Sequence, residues 1–198
     1  MAFHTSLGDI PLTPTTLTLE PVEDAPLQQF IPTANYGSVT ELPLSTYLGR
    51  NSRGIFRFDL SVFAEVGFVS AAVFSLWYDS WLQNNPVGEF IEVLPVTSKD
   101  WTELGVTWNS RVEPSLPWIT PGGDYTVFLS QDNTIPSVVG QRIRFDMTGY
   151  VNGLLSLGDF SCELLVKFRV EDQAARKTAV FRLREYLDPA FRPRLIIG

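Results

Sequence analysis

Hydrophobic and polar residues alternate with a period of two along much of this chain, a pattern typical of β-strands with one buried face. The segment RGIFRFDLS at 53–61 shows it well. Phe56, Phe58 and Leu60 share one face, while Arg57 and Asp59 share the other. We therefore expect Arg57 to face outward, so that its replacement by alanine costs far less stability than replacement of Phe58.

Further segments continue this alternation and predict more strands, at 69–78, 90–94, 141–146, 162–170, 179–184 and 194–197. Their parity predicts a core made of Ala72, Phe74, Leu76, Ile143, Phe145, Leu164, Val166, Phe168 and Val170. The same parity places on the opposite face Val73, Ser75, Trp77, Arg142, Arg144, Lys167 and Arg169.

One stretch, MTGYVNGLLSLG at 147–158, has helical periodicity and predicts a short helix over 149–155. Thr148 can cap its N-terminus, and Gly158 can terminate it. Its apolar stripe consists of Tyr150, Val151, Leu154 and Leu155.

Many strands, one helix and no βαβ rhythm predict an all-β fold, a jelly-roll-like antiparallel β-sandwich with one short helix and an extended N-terminal arm. Hydrophobic residues make up 44% of the 198 residues, enough for a sizeable core, and 14 Pro and 14 Gly favour turns. Residues 1–24, rich in Pro, Thr and Leu, are the predicted arm, with one strand at 15–19, and residues 25–198 are the predicted sandwich. We expect the arm to lie on a neighbouring subunit or scaffold and to bury Leu12, Leu17 and Leu19 there.

Five short phrases in a fixed order resemble the DNRLRE-type β-sandwich domain, over roughly residues 25–198. They are TANYGS at 33–38, RGIFRFDLS at 53–61, TELGVTWNS at 102–110, IRFDMTGYVNG at 143–153 and AVFRLREYLDPAFRPRLII at 179–197. That family includes carbohydrate-binding modules of secreted and surface proteins. The resemblance therefore implies a β-sandwich and carbohydrate binding, and none of the phrases is a catalytic motif.

The shared positions that we expect to have architectural roles are Asp146 with Thr148, Trp101 with Trp108, and Arg184 with Glu185. The first pair can tie a turn to the helix start. The two tryptophans flank a loop that must fold onto the sheet. The last pair either binds outward charges or secures the Pro-rich turn at 189–193.

The formal charge of −7 argues against nucleic-acid binding, which depends on Lys and Arg that neutralise phosphates. Apolar runs fall short of the roughly 20 residues that span a bilayer, so we expect no membrane insertion. The first ten residues lack the basic and apolar regions of a secretory signal peptide, and we expect a protein that does not use one.

The residue inventory disfavours catalysis. His4 is the only histidine and Cys162 the only cysteine, so a nucleophile–base pair and a His/Cys zinc site are both unlikely on ligand count. Cys162 lies within an apolar alternation and is expected to be a small core residue. Paired carboxylates can hydrolyse glycosides, and the candidates are Glu89, Glu92, Asp100 and Glu103. We nevertheless expect no enzymatic activity.

No cofactor is expected, except that loops of β-sandwiches often hold a structural calcium ion through carboxylate and carbonyl oxygens. The calcium candidates in loop-like sequence are Asp79, Asp124 and Asp132.

Sugar binding requires an exposed aromatic platform with polar neighbours. The candidates are Trp77, Tyr78, Trp81, Trp118 and Tyr125. Trp77 is the best of them, because its strand parity points it away from the core. The alternative for each is cover by the arm, by loops or by another subunit.

Two functions remain open. The first is a non-catalytic structural or decoration protein of a virion, such as a phage-like capsid or fibre, or of a similar surface assembly, with other subunits as partners. The alternative is a stand-alone carbohydrate-binding module for a surface or extracellular polysaccharide. Either function predicts a location on a virion or an extracellular surface, and glycans are compatible with both.

Overall fold

A computed structural model describes residues 16–198 and has the all-β fold that the alternation predicted. The first six strands are β1 Leu17–Leu19, β2 Glu23–Gln28, β3 Glu41–Thr46, β4 Ser52–Asp59, β5 Ala72–Gln83 and β6 Phe90–Pro95. The remaining strands are β7 Ser110–Val112, β8 Leu116–Pro117, β9 Gln131–Thr134, β10 Gln141–Asp146, β11 Ser161–Phe168, β12 Lys177–Arg182 and β13 Arg194–Ile197. The helical segments are α1 Thr148–Ser156 and two 3₁₀ turns, Ser61–Phe63 and Pro189–Phe191.

Eleven strands form one curled antiparallel sheet whose two halves make the sandwich. The β4 half has the order β2–β4–β11–β6–β9. The β5 half has the order β1–β13–β5–β12–β3, with β10 on the other edge of β5. One residue pair, Ser45 with Ser52, joins β3 to β4 and connects the halves.

The main core lies between the halves and is rich in aromatic side chains. The ring of Phe74 from β5 lies 5.3 Å from that of Phe56 and 5.8 Å from that of Phe58, both from β4. Phe145 of β10 adds a third ring, 6.2 Å from Phe74. All of the predicted core residues except Val170 belong to this cluster.

Helix α1 extends the predicted range by one residue at each end and packs its four-residue apolar stripe into the main core. The Asp146 carboxylate accepts hydrogen bonds from the Thr148 backbone N–H and hydroxyl, which confirms the predicted tie between turn and helix. Thr148 is therefore the first helical residue and not the cap. Gly158 has φ +67°, and its N–H donates to Leu155, which ends the helix as predicted. In the described part of the chain, no helix has the length and apolar character needed to cross a bilayer.

A second core covers much of the outer face of the β4 half, which the alternation predicts to be exposed. Trp101 and Trp108 lie on the loop after β6, which folds onto Leu27, Ile55 and Leu165 as the tryptophan pair predicted. Strands β2, β4 and β11 are therefore largely buried on both faces. The expected exposure of Arg57 and Lys167 is wrong: the loop around Trp101 largely covers Arg57, and Lys167 is buried beside Glu92.

Two ends of predicted elements also differ from the structure. Strand β11 ends at Phe168, so Val170 lies beyond the sheet and is exposed, contrary to its predicted core position. Strand β1 pairs with β13, and β2 begins at residue 23, so the sandwich includes residues that were assigned to the arm. Leu19 packs on the domain's own core and Leu17 is exposed at the sheet edge, while Leu12 lies outside the described residues.

Cys162 is fully buried in the main core, as predicted, and burial raises the pKa of its thiol to about 12. Only the thiolate reacts with disulfide reagents. We therefore expect native protein at pH 8 to leave an aromatic disulfide reagent unreacted, and protein in guanidinium chloride to release one equivalent of its chromophore. Rapid release from native protein would contradict this packing.

Candidate functional site

The second core does not extend over the outer face of the β5 half, although the C-terminal 3₁₀ turn packs on part of that face. Trp77 lies on it, as its strand parity predicted, and is partly exposed. Phe191 of the C-terminal 3₁₀ turn packs against one side of Trp77, with ring centroids 4.5 Å apart. Part of the indole is therefore covered by the domain's own loop, while the rest borders neighbouring strands.

Three arginines share this face with Trp77. Arg142 stands opposite Trp77 in the register of β10 and β5, and Arg144 stands opposite Ser75. Arg194 flanks Ser75 from the other side, on β13. Two strand spacings separate the Cα atoms of Arg144 and Arg194, about 10 Å. We call the surface formed by Trp77, Arg142, Arg144 and Arg194 the arginine face.

The arginine face carries positive charge that no carboxylate among residues 16–198 neutralises through an ion pair. Arg142, Arg144 and Arg194 form no ion pair within the described residues, although the chain as a whole is acidic. Burial, and then the charges of Arg194 and Arg144, lower the pKa of Arg142 to about 10. Three like charges in proximity therefore make this face an attractive surface for an anion.

The three arginines have different roles. Arg142 is held in place, because its guanidinium donates to the backbone oxygens of Ala190 (2.6 Å) and Arg192 (2.9 Å) and to the Ser75 hydroxyl (3.2 Å). Arg144 is exposed. Arg194 donates to the Pro189 oxygen at 3.1 Å and is half-buried. A rigid guanidinium therefore lies beside two that are open to a ligand.

A groove of about 290 Å³ runs beside the arginine face, between β9 and β10. It is lined by Asn133, Thr134, Pro136, Gln141, Arg142, Ile143 and Arg144. Amide, hydroxyl and guanidinium groups are the donors and acceptors that match sugar hydroxyls and carboxylates. The sequence pattern does not identify Asn133, Gln141 and Arg194 as site residues, although the alternation Arg-x-Arg in β10 indicates one half of the surface.

The prediction of an exposed sugar-binding ring is wrong for two of the five aromatic residues. Tyr78 is fully buried, because it follows Trp77 in β5 and so points to the opposite face, against Phe181. Trp118 is buried in the second core, where its indole N–H donates to the Thr107 oxygen at 3.0 Å. Neither ring is available to a ligand.

The other two aromatics lie apart from the arginine face. A register shift beside Phe181 places Trp81 opposite Ala179, so Trp81 faces the core side of β5 at its rim, where 42% of it is exposed. Tyr125 packs on the second core beneath Arg53. The five predicted aromatics therefore do not form one platform.

A second, smaller groove of about 130 Å³ also contains arginines that lack carboxylate partners within the described chain, Arg50 and Arg176. Its exposed aromatic is Phe30, but the Arg50 guanidinium lies 4.2 Å above that ring. A protein cation thus occupies the ring face that a sugar would need, which makes this groove the weaker candidate.

The acidic residues considered for hydrolysis each face a basic side chain. Glu89 pairs with Lys177, which lowers the Glu89 pKa. The other ion pairs are Glu92 with Lys167 and Arg169, Asp100 with Arg111, and Glu103 with Arg184. Arg184 thereby binds the loop that precedes Trp108, so the first of its two expected roles is the one seen. The absence of enzymatic activity stays a prediction.

The calcium candidates do not converge. Asp79 pairs with Arg182 at 2.7 Å, and Asp132 pairs with Arg169. Asp124 accepts hydrogen bonds from the Ser98 hydroxyl and the Thr120 N–H, both at 2.8 Å. Each carboxylate is therefore engaged locally, in a different part of the fold.

The sequence model of carbohydrate-binding module family 96 matches residues 15–120, more than half of the chain. The chain belongs to carbohydrate-binding module family 96. No curated protein matches the sequence significantly. Membership of family 96 confirms the carbohydrate-binding-module character that the resemblance implied, while the more specific DNRLRE assignment stays a prediction. The family 96 match ends before β10, so the arginine face is only partly covered by it.

Proposed function

We propose that this protein is a carbohydrate-binding module that binds an acidic polysaccharide on the arginine face and in the adjoining groove. The single observation that carries this proposal is the group of three arginines on one sheet face, which form no ion pair among the described residues: Arg142 is opposite Trp77, and Arg144 and Arg194 flank Ser75. Family membership supports the binding of a saccharide, and the arginines favour acidic sugar units over neutral ones.

The chemistry of the face matches a uronic acid. A guanidinium binds a carboxylate through two parallel hydrogen bonds that opposite charges strengthen, and a neutral sugar lacks the negative charge. Arg144 and Arg194 are the two arginines with room for such a pair, and Arg142 contributes a fixed charge beside them. The uncovered part of Trp77 offers an apolar surface to a sugar ring.

Replacement of Arg144 by alanine is expected to weaken binding to polygalacturonate about tenfold or more, because a hydrogen bond to a charged group contributes about 1.5–3 kcal/mol. Affinity electrophoresis in gels that contain the polymer measures this. The double variant Arg144→Ala/Arg194→Ala should lose retardation, and added salt should weaken wild-type binding because the contacts are solvent-exposed.

Two matched controls make the result specific. The carboxyl-reduced polymer keeps the sugar rings but lacks the anions, and it should not retard the protein. Arg50→Ala removes an exposed arginine at the second groove and should bind as the wild type does. If Arg50→Ala alone lost binding, the polysaccharide site would be assigned to the second groove. Equal binding of the native and reduced polymers would contradict the acidic preference.

An assembly role on a virion or other surface is the second candidate, and an apolar patch supports it. Leu17, Val66 and Phe68 are exposed at the edge that β1 forms among the described strands, and Phe68 is 68% exposed. Edge strands and apolar patches are common contact surfaces. Light scattering after size exclusion tests this: an oligomer that Phe68→Ser dissociates supports assembly through the patch, whereas a monomeric wild type contradicts it.

A further inference from the structure

Three carboxylates from distant parts of the chain meet beneath the loop that carries Trp101. Asp24 belongs to β2, Glu103 to the loop, and Glu185 follows β12. Each offers an oxygen atom, and the three oxygens lie within 4.8 Å of one another. Such a convergence of like charges is unfavourable unless a cation offsets it.

Arg184 is the only basic side chain paired with these carboxylates in the described structure. Its Nη2 donates to both oxygens of Glu103, at 2.7 and 2.6 Å, and it pairs with Glu185 Oε1 at 2.8 Å. One positive charge therefore faces three negative ones. The formal charge of the cluster is −2, the charge that a divalent cation would neutralise.

Two carboxylate oxygens in the cluster are buried without a hydrogen-bond partner among the described residues, Asp24 Oδ1 and Glu185 Oε2. The Asp24 side chain is fully buried, and its other oxygen, Oδ2, accepts the Arg184 backbone N–H at 2.9 Å. An ionised carboxylate oxygen removed from water without a partner is strongly destabilising. These two oxygens are therefore suited to bind a cation.

We propose that Asp24, Glu103 and Glu185 bind a calcium ion that fastens the loop around Trp101 to β2 and to the segment after β12. Calcium prefers carboxylate oxygens and tolerates irregular geometry, which suits a site that an arginine already shares. The site differs from the three aspartates that the sequence suggested, because its members are more than 75 residues apart in sequence and only the fold brings them together.

A proton on Asp24 is the alternative to a calcium ion in this carboxylate cluster. Burial, together with the charges of Glu185 and Glu103, raises the pKa of the Asp24 carboxyl well above its ordinary value. A protonated Asp24 could donate a hydrogen bond to a neighbouring carboxylate and leave no need for metal. Binding of calcium by metal-free protein at neutral pH separates the two occupants.

The experiment uses the full chain, stripped with a chelator and dialysed into metal-free buffer at pH 7. Titration calorimetry with CaCl₂ should show one site, and the melting temperature should rise with calcium. Asp24→Asn and Glu185→Gln should each weaken calcium affinity by at least about tenfold. Asp132→Asn removes an acidic residue elsewhere and is the matched control, which should bind calcium as the wild type does.

Two results would overturn the proposal. The first is the absence of calorimetric binding by stripped wild-type protein, which would assign the site to a proton. The second is unchanged calcium affinity in Glu185→Gln, which removes a charge from the partly exposed member and is the variant more certain to fold. Polysaccharide binding on the arginine face is measured separately, so the two proposals fail independently.

Discussion

Replacement of Arg57 by alanine is expected to destabilise the protein by about 3–5 kcal/mol, because it leaves a buried carboxylate without its counter-ion. Arg57 stands between Glu23 of β2 and Glu163 of β11 and pairs with both. The Glu163 side chain is 1% exposed, and burial raises its pKa while Arg57 opposes that rise. Trp101 donates its indole N–H to the same carboxylate.

Arg57 also holds the covering loop in place. Its Nη2 donates to the backbone oxygens of Lys99 (2.7 Å) and Trp101 (3.0 Å), and its guanidinium lies 4.5 Å above the Trp101 ring. The loss of Arg57 therefore weakens the second core as well as the ion pair. Urea unfolding followed by tryptophan fluorescence measures the change in the free energy of unfolding.

Arg169→Ala is the matched control for Arg57→Ala. Arg169 also pairs with two carboxylates, Glu92 and Asp132, and lies over the ring of Phe90. It is 46% exposed, whereas Arg57 is 19% exposed. Pairs in contact with water contribute about 0–1 kcal/mol, so Arg169→Ala should have a small effect. Equal losses in the two variants would show that burial of Arg57 is not what makes its pairs important.

Phe58→Ala is the second large expected effect, a loss of about 3–5 kcal/mol. Phe58 is fully buried at the centre of the main core and meets the edge of the Phe74 ring. Its removal leaves a cavity that strands on both sides of the sandwich cannot close. Phe168, also fully buried, is expected to respond in the same way.

Phe128→Ala provides the control for Phe58→Ala, since Phe128 is 72% exposed. Its loss should change the free energy of unfolding by less than about 0.5 kcal/mol. The free energies of unfolding are compared from urea titrations in which both variants keep the same m-value, the dependence of that free energy on urea concentration. A loss below 1 kcal/mol for Phe58→Ala would contradict the placement of β4 against β5.

Strand alternation predicted the main core because period-two patterns report one buried face directly. The same reasoning failed for Arg57 and Lys167, since a polar residue on the outer face is exposed only where nothing covers that face. Over Arg57 the cover comes from the loop around Trp101, which lacks a regular period. The two tryptophans are visible in the sequence, but the sequence does not indicate how far their loop extends over the sheet.

The arginine face was only half visible in the sequence. Parity placed Trp77, Arg142 and Arg144 outward, and all three do share one face. Arg194 joins them through the pairing of β13 with β5, which no local pattern encodes. The bulge that turns Trp81 to the other face is likewise a property of strand register, so the predicted aromatic platform divides between two faces.

The most direct test of carbohydrate binding on the arginine face is a titration of ¹⁵N-labelled protein with an oligogalacturonate, followed by amide and indole chemical shifts. We expect the largest shifts at the Trp77 indole N–H, at residues 141–144 and at Arg194, with little change around Phe30 and Arg50. Saturable shifts confined to that second groove, or the absence of saturable shifts on β5, β10 and β13, would contradict the account.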